Sequence, residues 1–261
     1  MMLYHHTIAD KCNKILEVGV GTGRSALMFS QSFMQKGAVY VNTDISDNMI
    51  KIFKENLGST GYDLDHQESY KAPEAEEDKK KIVILKANNE DLPFPDEEFD
   101  CYISNFSMHI VDNHHNQLLE AYRVLKPGCK AGFSVWGDKS RNNCFTFLQT
   151  TLKKLGYETD LSAEKSFCLS DPVDLRKDIL TAGFKVCKNI VVNLPMAHKY
   201  PEDFLNIMVK GNFEDFAQKE NLTEPNKTEL WDQICQEFTQ KYGPDTSEMP
   251  DFEQIICIAT K

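Results

Sequence analysis

The sequence predicts an α/β fold: seven strands in a mainly parallel sheet, helices on both faces, and a helical insertion before the last strand. Three observations predict it. Apolar, β-branched runs alternate with amphipathic helical stretches at the spacing of strand–helix–strand units. The first run, Lys14–Val18, ends in glycines at alternate positions, Gly19, Gly21 and Gly23, the pattern of a tight strand-to-helix turn. A second run, Val39–Asp44, closes on an acid about 20 residues after that turn, a spacing found in nucleotide-binding βαβ units.

The elements follow in order. Residues 1–14 are short and polar, with a helical turn expected around 8–13. After the glycine turn a helix is expected over 25–36, then the second strand, then a helix over 49–57. Residues 58–81 are polar, carry Pro73 and an acidic-then-basic run, and read as a solvated loop insertion. Ile82–Ala87 is a third strand and Phe99–Phe106 a fourth. An amphipathic helix over 113–124 is stopped by Lys126-Pro127-Gly128, and 130–136 forms a fifth strand. Helices are expected over 144–155 and 173–182, a strand over 183–192, and a last strand over 252–259. Between those last two strands, residues 195–250 read as a helical insertion or cap, placed either to cover the mouth of a site or to dock on a partner. The whole chain is expected to be one domain.

Composition bounds the function. The chain has 261 residues, 41% hydrophobic and 26% charged, ordinary for a globular protein. A formal net charge of −11 argues against nucleic acid or an anionic membrane surface as the main partner. No apolar stretch approaches the length of a transmembrane helix. The eight cysteines form no C-x-x-C pair, which points away from a zinc site and towards reduced thiols. No metal site is expected.

The glycine turn selects its ligand. A dinucleotide fingerprint wants its third glycine one residue later, where Arg24 stands. Glu17, two residues before Gly19, would repel a pyrophosphate and suit a ligand carrying positive charge. S-adenosylmethionine (SAM) carries an ammonium and a sulfonium and no phosphate. Asp44 has two readings, a ribose ligand or a cap on the following helix, a duty that Ser46 or Asp47 could also take.

At this point the stretch resembles motif I of the class I SAM-dependent methyltransferases. The similarity runs over about residues 14–136. It continues in the acid loop Asp44-Ile45-Ser46-Asp47-Asn48-Met49, in Ala87–Asp96 with Phe99-Asp100, and in Tyr122–Gly128. Together these look like the type 11 subgroup, and within it the ubiquinone/menaquinone-biosynthesis C-methyltransferases. The resemblance implies a Rossmann-like fold and SAM as cofactor. It implies that Glu17 faces the methionine ammonium, that Gly19, Val20, Gly21 and Thr22 floor the site, and that Asp44 takes the ribose hydroxyls. It further implies that Ile45 and Met49 flank the adenine, that Asn88, Asn89 and Glu90 lie at the adenine edge, and that Asn105 sits beside the methionine moiety.

Two features depart from that family. Quinone C-methyltransferases carry an Arg-Asn pair just after the fourth strand, where this chain has His109-Ile110. Relatives also have a longer segment before motif I. On the acceptor side, His109 is the candidate general base, with a packing histidine as the alternative. Phe106, Trp136 and Tyr4 are candidates for contact with the acceptor; Trp136 either lines the pocket or packs. His114 and His115 read as solvated. The expected activity is methyl transfer to a small-molecule acceptor, quinone-like or lipid-like. The alternative is a methyltransferase-fold subunit with a structural role in a larger assembly, as a homo-oligomer or beside a related subunit. An intracellular place is expected, in the cytoplasm or the mitochondrial matrix.

Overall fold

A computed structural model describes residues 2–58, 62–74, 76–159, 164–195, 201–243 and 251–261. Residues 196–200 and 244–250 of the expected helical insertion, and 59–61 and 75 of the expected loop, lie outside the described residues.

The central strand is β1 (Lys14–Val18), whose Ile15, Leu16 and Val18 are fully buried. It pairs in parallel with β2 (Val39–Asp44) on one side and with β5 (Phe99–Asn105) on the other. Beyond β2 lie β4 (Lys81–Lys86) and β3 (Asp63–Gln67), both parallel. Beyond β5 lie β6 (Leu125–Trp136), then β8 (Asp251–Thr260) and β7 (Val186–Pro195). The full order is β3-β4-β2-β1-β5-β6-β8-β7. Lys261, just past β8, bonds Gly128 and Cys129 in the first half of β6, and Glu253 bonds Gly137 just past its end. Strand β8 therefore runs against β6, and the Lys185–Thr260 bond sets it against β7 as well. All six residues of β2 are buried, as expected of a strand covered on both faces.

Among the described residues the sheet has eight strands rather than seven. The additional one, β3, lies within the polar stretch expected as a loop. Its pairing to β4 is made by backbone groups, which need no apolar run to recruit them, and an edge strand tolerates polar side chains.

The helices are α1 (Met2–His6), α2 (Arg24–Ser32), α3 (Asp47–Gly58), α4 (His114–Val124), α5 (Asn143–Lys154), α6 (Pro172–Thr181), α7 (Pro201–Phe204), α8 (Lys210–Lys219) and α9 (Glu224–Tyr242). Their starts follow local chemistry. The Asn113 side chain accepts from the amides of His115 and Asn116, and Asp171 caps α6 with Pro172 in its first turn. The helical turn expected around 8–13 is present as a 3-10 turn over Ala9–Lys11, and a short helix not expected from the sequence, Met2–His6, precedes it. This helix is packed, not frayed: Leu3, Tyr4 and Thr7 are buried.

The chain divides into two compact units, described separately. One comprises Met1–Val135, Asp171–Val191 and Ile255–Lys261; the other Trp136–Ser170 and Val192–Gln254. The second has its own apolar core, in which Phe147 and Leu152 of α5 join Phe204, Phe213, Ile234 and Phe238 from the helical insertion. Trp136 belongs to that unit and meets the rings of Phe145 and Phe252 edge-on. Among the described residues no helix is long and apolar enough to cross a membrane.

Gly132 of β6 explains how α1 is seated. A Cβ there would lie 2.5 Å from Thr7 and 2.8 Å from Leu3. The expected outcome of Gly132→Ala is therefore a loss of about 1–3 kcal/mol in chemical denaturation, from overpacking against α1.

Candidate functional site

The site forms where the sheet order switches. Strand β1 continues to β2 on one side, while its other neighbour is β5, so the loops after β1 and β5 part and leave a crevice at their carboxyl ends. Residues Gly19–Gly23 fill the β1 loop. Gly19 has φ +61°, and a Cβ on it would lie 2.5 Å from the Ser107 Cβ and 3.3 Å from the side-chain Nδ2 of Asn89. Gly21 has φ +59° and nothing within 4 Å of a Cβ position, so bare backbone faces open space there. Val20 is buried and its amide bonds Thr43, while the Thr22 carbonyl accepts from Asn56.

Asp44 ends β2 and is 7% exposed. Its Oδ2 accepts the Gly21 amide at 2.8 Å and its Oδ1 the Ser46 amide at 2.9 Å. The Ser46 hydroxyl, not Asp44, accepts from the Met49 amide in the first turn of α3. Each Asp44 oxygen thus keeps a lone pair for hydroxyl donors. Ile45 is largely exposed and Met49 half-buried beside it. In the loop after β4, Asn88 is exposed and its side-chain oxygen accepts the Glu90 amide, while Asn89 is buried under Gly19. Glu90 accepts the Asp112 amide at 2.9 Å, tying this loop to the turn after β5.

Glu17 is 1% exposed. Three hydroxyls donate to its carboxylate: Tyr4 of α1 at 2.9 and 2.8 Å, Ser25 of α2 at 3.1 Å, and Tyr40 of β2. Among the described residues no cationic side chain pairs with it. Burial pushes its carboxyl up to about 7, and the donors from Tyr4 and Ser25 act in the opposite direction. Tyr4, expected at the acceptor, is instead buried, stacked on Phe29 at 4.9 Å, and engaged with Glu17. Its short run of sequence gave no sign of this, because the partner lies 13 residues on.

The end of β5 completes the crevice. Phe106 adopts φ +53°, costly for a bulky residue, and is held by bonds from its amide to the Ser134 carbonyl and hydroxyl. The Ser134 hydroxyl donates to Asn105. The turn swings Ser107 beneath the glycine loop, where its hydroxyl donates to the Val18 carbonyl at 3.1 Å and meets Ser104 at 2.8 Å; Gln117 of α4 donates to Ser104. Ser107, Ser25 and Tyr40 escaped sequence reasoning. The readable signal was the buried acid and the glycine at 19, each of which demands a donor or a small neighbour. His109 is 6% exposed, and burial lowers its pKa to about 4, so its ring is neutral at pH 7. His114 is not simply solvated: it bonds Asp178 at 3.1 Å. Trp136 lies in the other compact unit.

The donor set fits a cationic ligand free of phosphate. A buried carboxylate with no cationic side chain paired to it among the described residues, an acid with spare lone pairs and a glycine backbone with open space beside it lie along one sheet edge.

Comparison with known proteins agrees. Residues 16–133 match the family model described as a methyltransferase domain. The chain is 32% identical over 127 residues to the ubiquinone/menaquinone biosynthesis C-methyltransferase UbiE of Marinomonas sp. (strain MWYL1), covering 47% of this chain and 44% of that protein. It is 34% identical over 115 residues to UbiE of Proteus mirabilis (strain HI4320), covering 44% and 39%. The chain thus spans less than half the length of these curated relatives. Among solved structures, a putative methyltransferase from Bacillus halodurans C-125 aligns with a TM-score of 0.54 at 19% identity, over 95% of this chain and 92% of that one. The YcgJ protein from Bacillus subtilis aligns with a TM-score of 0.58 at 15% identity, over 99% and 97%. These two share the fold. Over less than half of its length, then, the chain is similar to a methyltransferase domain.

Glu17 makes stability depend on pH with a definite sign. Its folded pKa of about 7 lies above the ordinary carboxyl value of 4.5, so its stabilising contribution is complete in acid and is lost as pH rises towards and through 7. Relative to Glu17→Gln, the wild type should lose roughly 3 kcal/mol in urea denaturation between pH 4 and pH 8.

Proposed function

We propose that this chain binds SAM at the crevice between the β1 and β5 loops and transfers its methyl group to a small-molecule acceptor, quinone-like or lipid-like. One observation carries the reading: Glu17 is a buried carboxylate with three hydroxyl donors and, among the described residues, no cationic side chain paired with it. Such a group gains most from a ligand that brings the missing positive charge. Glu17 faces the ammonium of the bound cofactor, directly or through water. Asp44, fixed by two amides, accepts the ribose hydroxyls with its remaining lone pairs. Asn88, Asn89 and Glu90 bound the adenine edge, with Ile45 and Met49 on its faces. Asn105, oriented by Ser134, flanks the methionine end.

The bound cofactor supplies a methyl group already activated by the sulfonium. The protein's part is alignment, which can contribute roughly 7–11 kcal/mol when geometry is held. His109, neutral at pH 7, takes up the proton if the acceptor must lose one. The quinone-like class is supported by the names of the relatives, which are ubiquinone/menaquinone biosynthesis enzymes. A second reading is a structural subunit of the same fold, alone in an oligomer or beside a related subunit. It is favoured by the turn after β5, where His109 is buried and Ile110 is exposed in place of the Arg-Asn pair.

Calorimetric titration with SAM tests the reading. Wild type should bind, and Asp44→Ala should bind about tenfold or more weakly, since it loses both ribose acceptors and the Gly21 anchor. Absence of binding by folded wild type would remove the proposal.

A further inference from the structure

Helix α1 brings one polar group into the core, and it is placed with unusual completeness. Tyr4 straddles the Glu17 carboxylate, at 2.9 Å from one oxygen and 2.8 Å from the other. Its ring stacks on Phe29, which in turn meets Tyr40 edge-on at 5.2 Å, so both phenols that reach Glu17 are fixed by the same aromatic ring. The helix itself is seated by the missing Cβ at Gly132, by Leu3, and by Thr7, whose hydroxyl bonds the Leu3 and Tyr4 carbonyls.

We propose that Tyr4 is a positioning residue of the cofactor site, holding Glu17 ionised and correctly oriented for the cofactor's ammonium, so that the docked N-terminal helix is part of the binding machinery. This rests on the SAM reading given above.

The reason is electrostatic. Removing a carboxylate from water favours its neutral form, and donors to the anion oppose that. Here burial wins enough to hold Glu17 at about 7, so at neutral pH the group stands at the midpoint of its titration. Among the described residues the groups facing it are the Tyr4 phenol from α1, the Tyr40 phenol from β2 and the Ser25 hydroxyl from α2, and the positive charge of the chain's N-terminus also favours the anion; the Cys101 thiol of β5 lies close to Tyr4. Tyr4 remains protonated throughout, because burial and the neighbouring acid raise its own pKa well above the ordinary phenol value. Each donor therefore controls how much of the protein carries the anion that a cationic ligand requires.

The test is a comparison of wild type, Tyr4→Phe and Tyr40→Phe by two readouts. The Phe variants keep the aromatic packing and delete only the donor. In the ligand-free protein, carbon-13 NMR follows the Glu17 carboxyl: its midpoint should rise by about one unit, a tenfold gain in proton affinity, in Tyr4→Phe. Calorimetry with S-adenosylhomocysteine, which keeps the ammonium, should show Tyr4→Phe weakened about fivefold or more at pH 6.5, with the loss shrinking at pH 8.5. A purely structural role for Tyr4 would leave the Glu17 midpoint in place and give a loss independent of pH. Either result would overturn the inference, as would tighter binding by Tyr4→Phe, which would make Tyr4 an occupant of the ligand's place. Tyr40→Phe supplies the same comparison if Tyr4→Phe fails to fold. Wild type that binds neither cofactor nor product overturns the SAM reading and this inference together; wild type that binds, with variants that bind equally across pH, overturns this inference alone.

Discussion

A carboxylate removed from water and given three hydroxyls, but no cationic side chain among the described residues, is the constraint on which the site depends. Ionising Glu17 in that place is costly, and hydrogen bonds from neutral donors offset only part of the cost. The donors come from α1, α2 and β2, so the protonation state of one side chain depends on three elements being packed around β1. The N-terminal helix is drawn into the core by that demand, and β6 carries glycine at 132 to admit it.

The neighbouring groups follow the same logic of fixing atoms before a ligand arrives. Asp44 is pinned by amides from its own loop and from Gly21, so the acid and the glycine loop hold one another. Ser107 supports the loop from below through Val18, and the strained Phe106 is the cost of bringing it there. The proposed cofactor site is thus built from short backbone contacts around β1. Of the residues expected at the acceptor, His109 is buried and neutral at pH 7, and Tyr4 is engaged with Glu17.

Much of this was legible in the sequence. The run Lys14–Val18 with its glycines, and Asp44 about 20 residues on, were readable because strand burial and turn geometry act through neighbours in the chain. The expectation of a positively charged ligand came from Glu17 alone. Strand β3 was not legible, because its order comes from backbone pairing to β4 rather than from apolar side chains. Nor were Tyr4, Ser25, Tyr40 and Ser107, whose roles arise only where separate elements meet. Sequence local rules place an acid in the core; only the tertiary fold says which hydroxyls answer it.

Proton exchange on ligand binding tests that account most directly. At pH 6.5 most ligand-free molecules hold a proton on Glu17, given its value of about 7. A bound ammonium should expel it. Calorimetric titration with SAM in buffers of differing ionisation enthalpy should therefore show release of roughly half to three-quarters of a proton per site, and the release should vanish in Glu17→Gln. Binding with no proton release, or with release that persists in Glu17→Gln, would contradict the claim that this buried acid is what the ligand's charge answers.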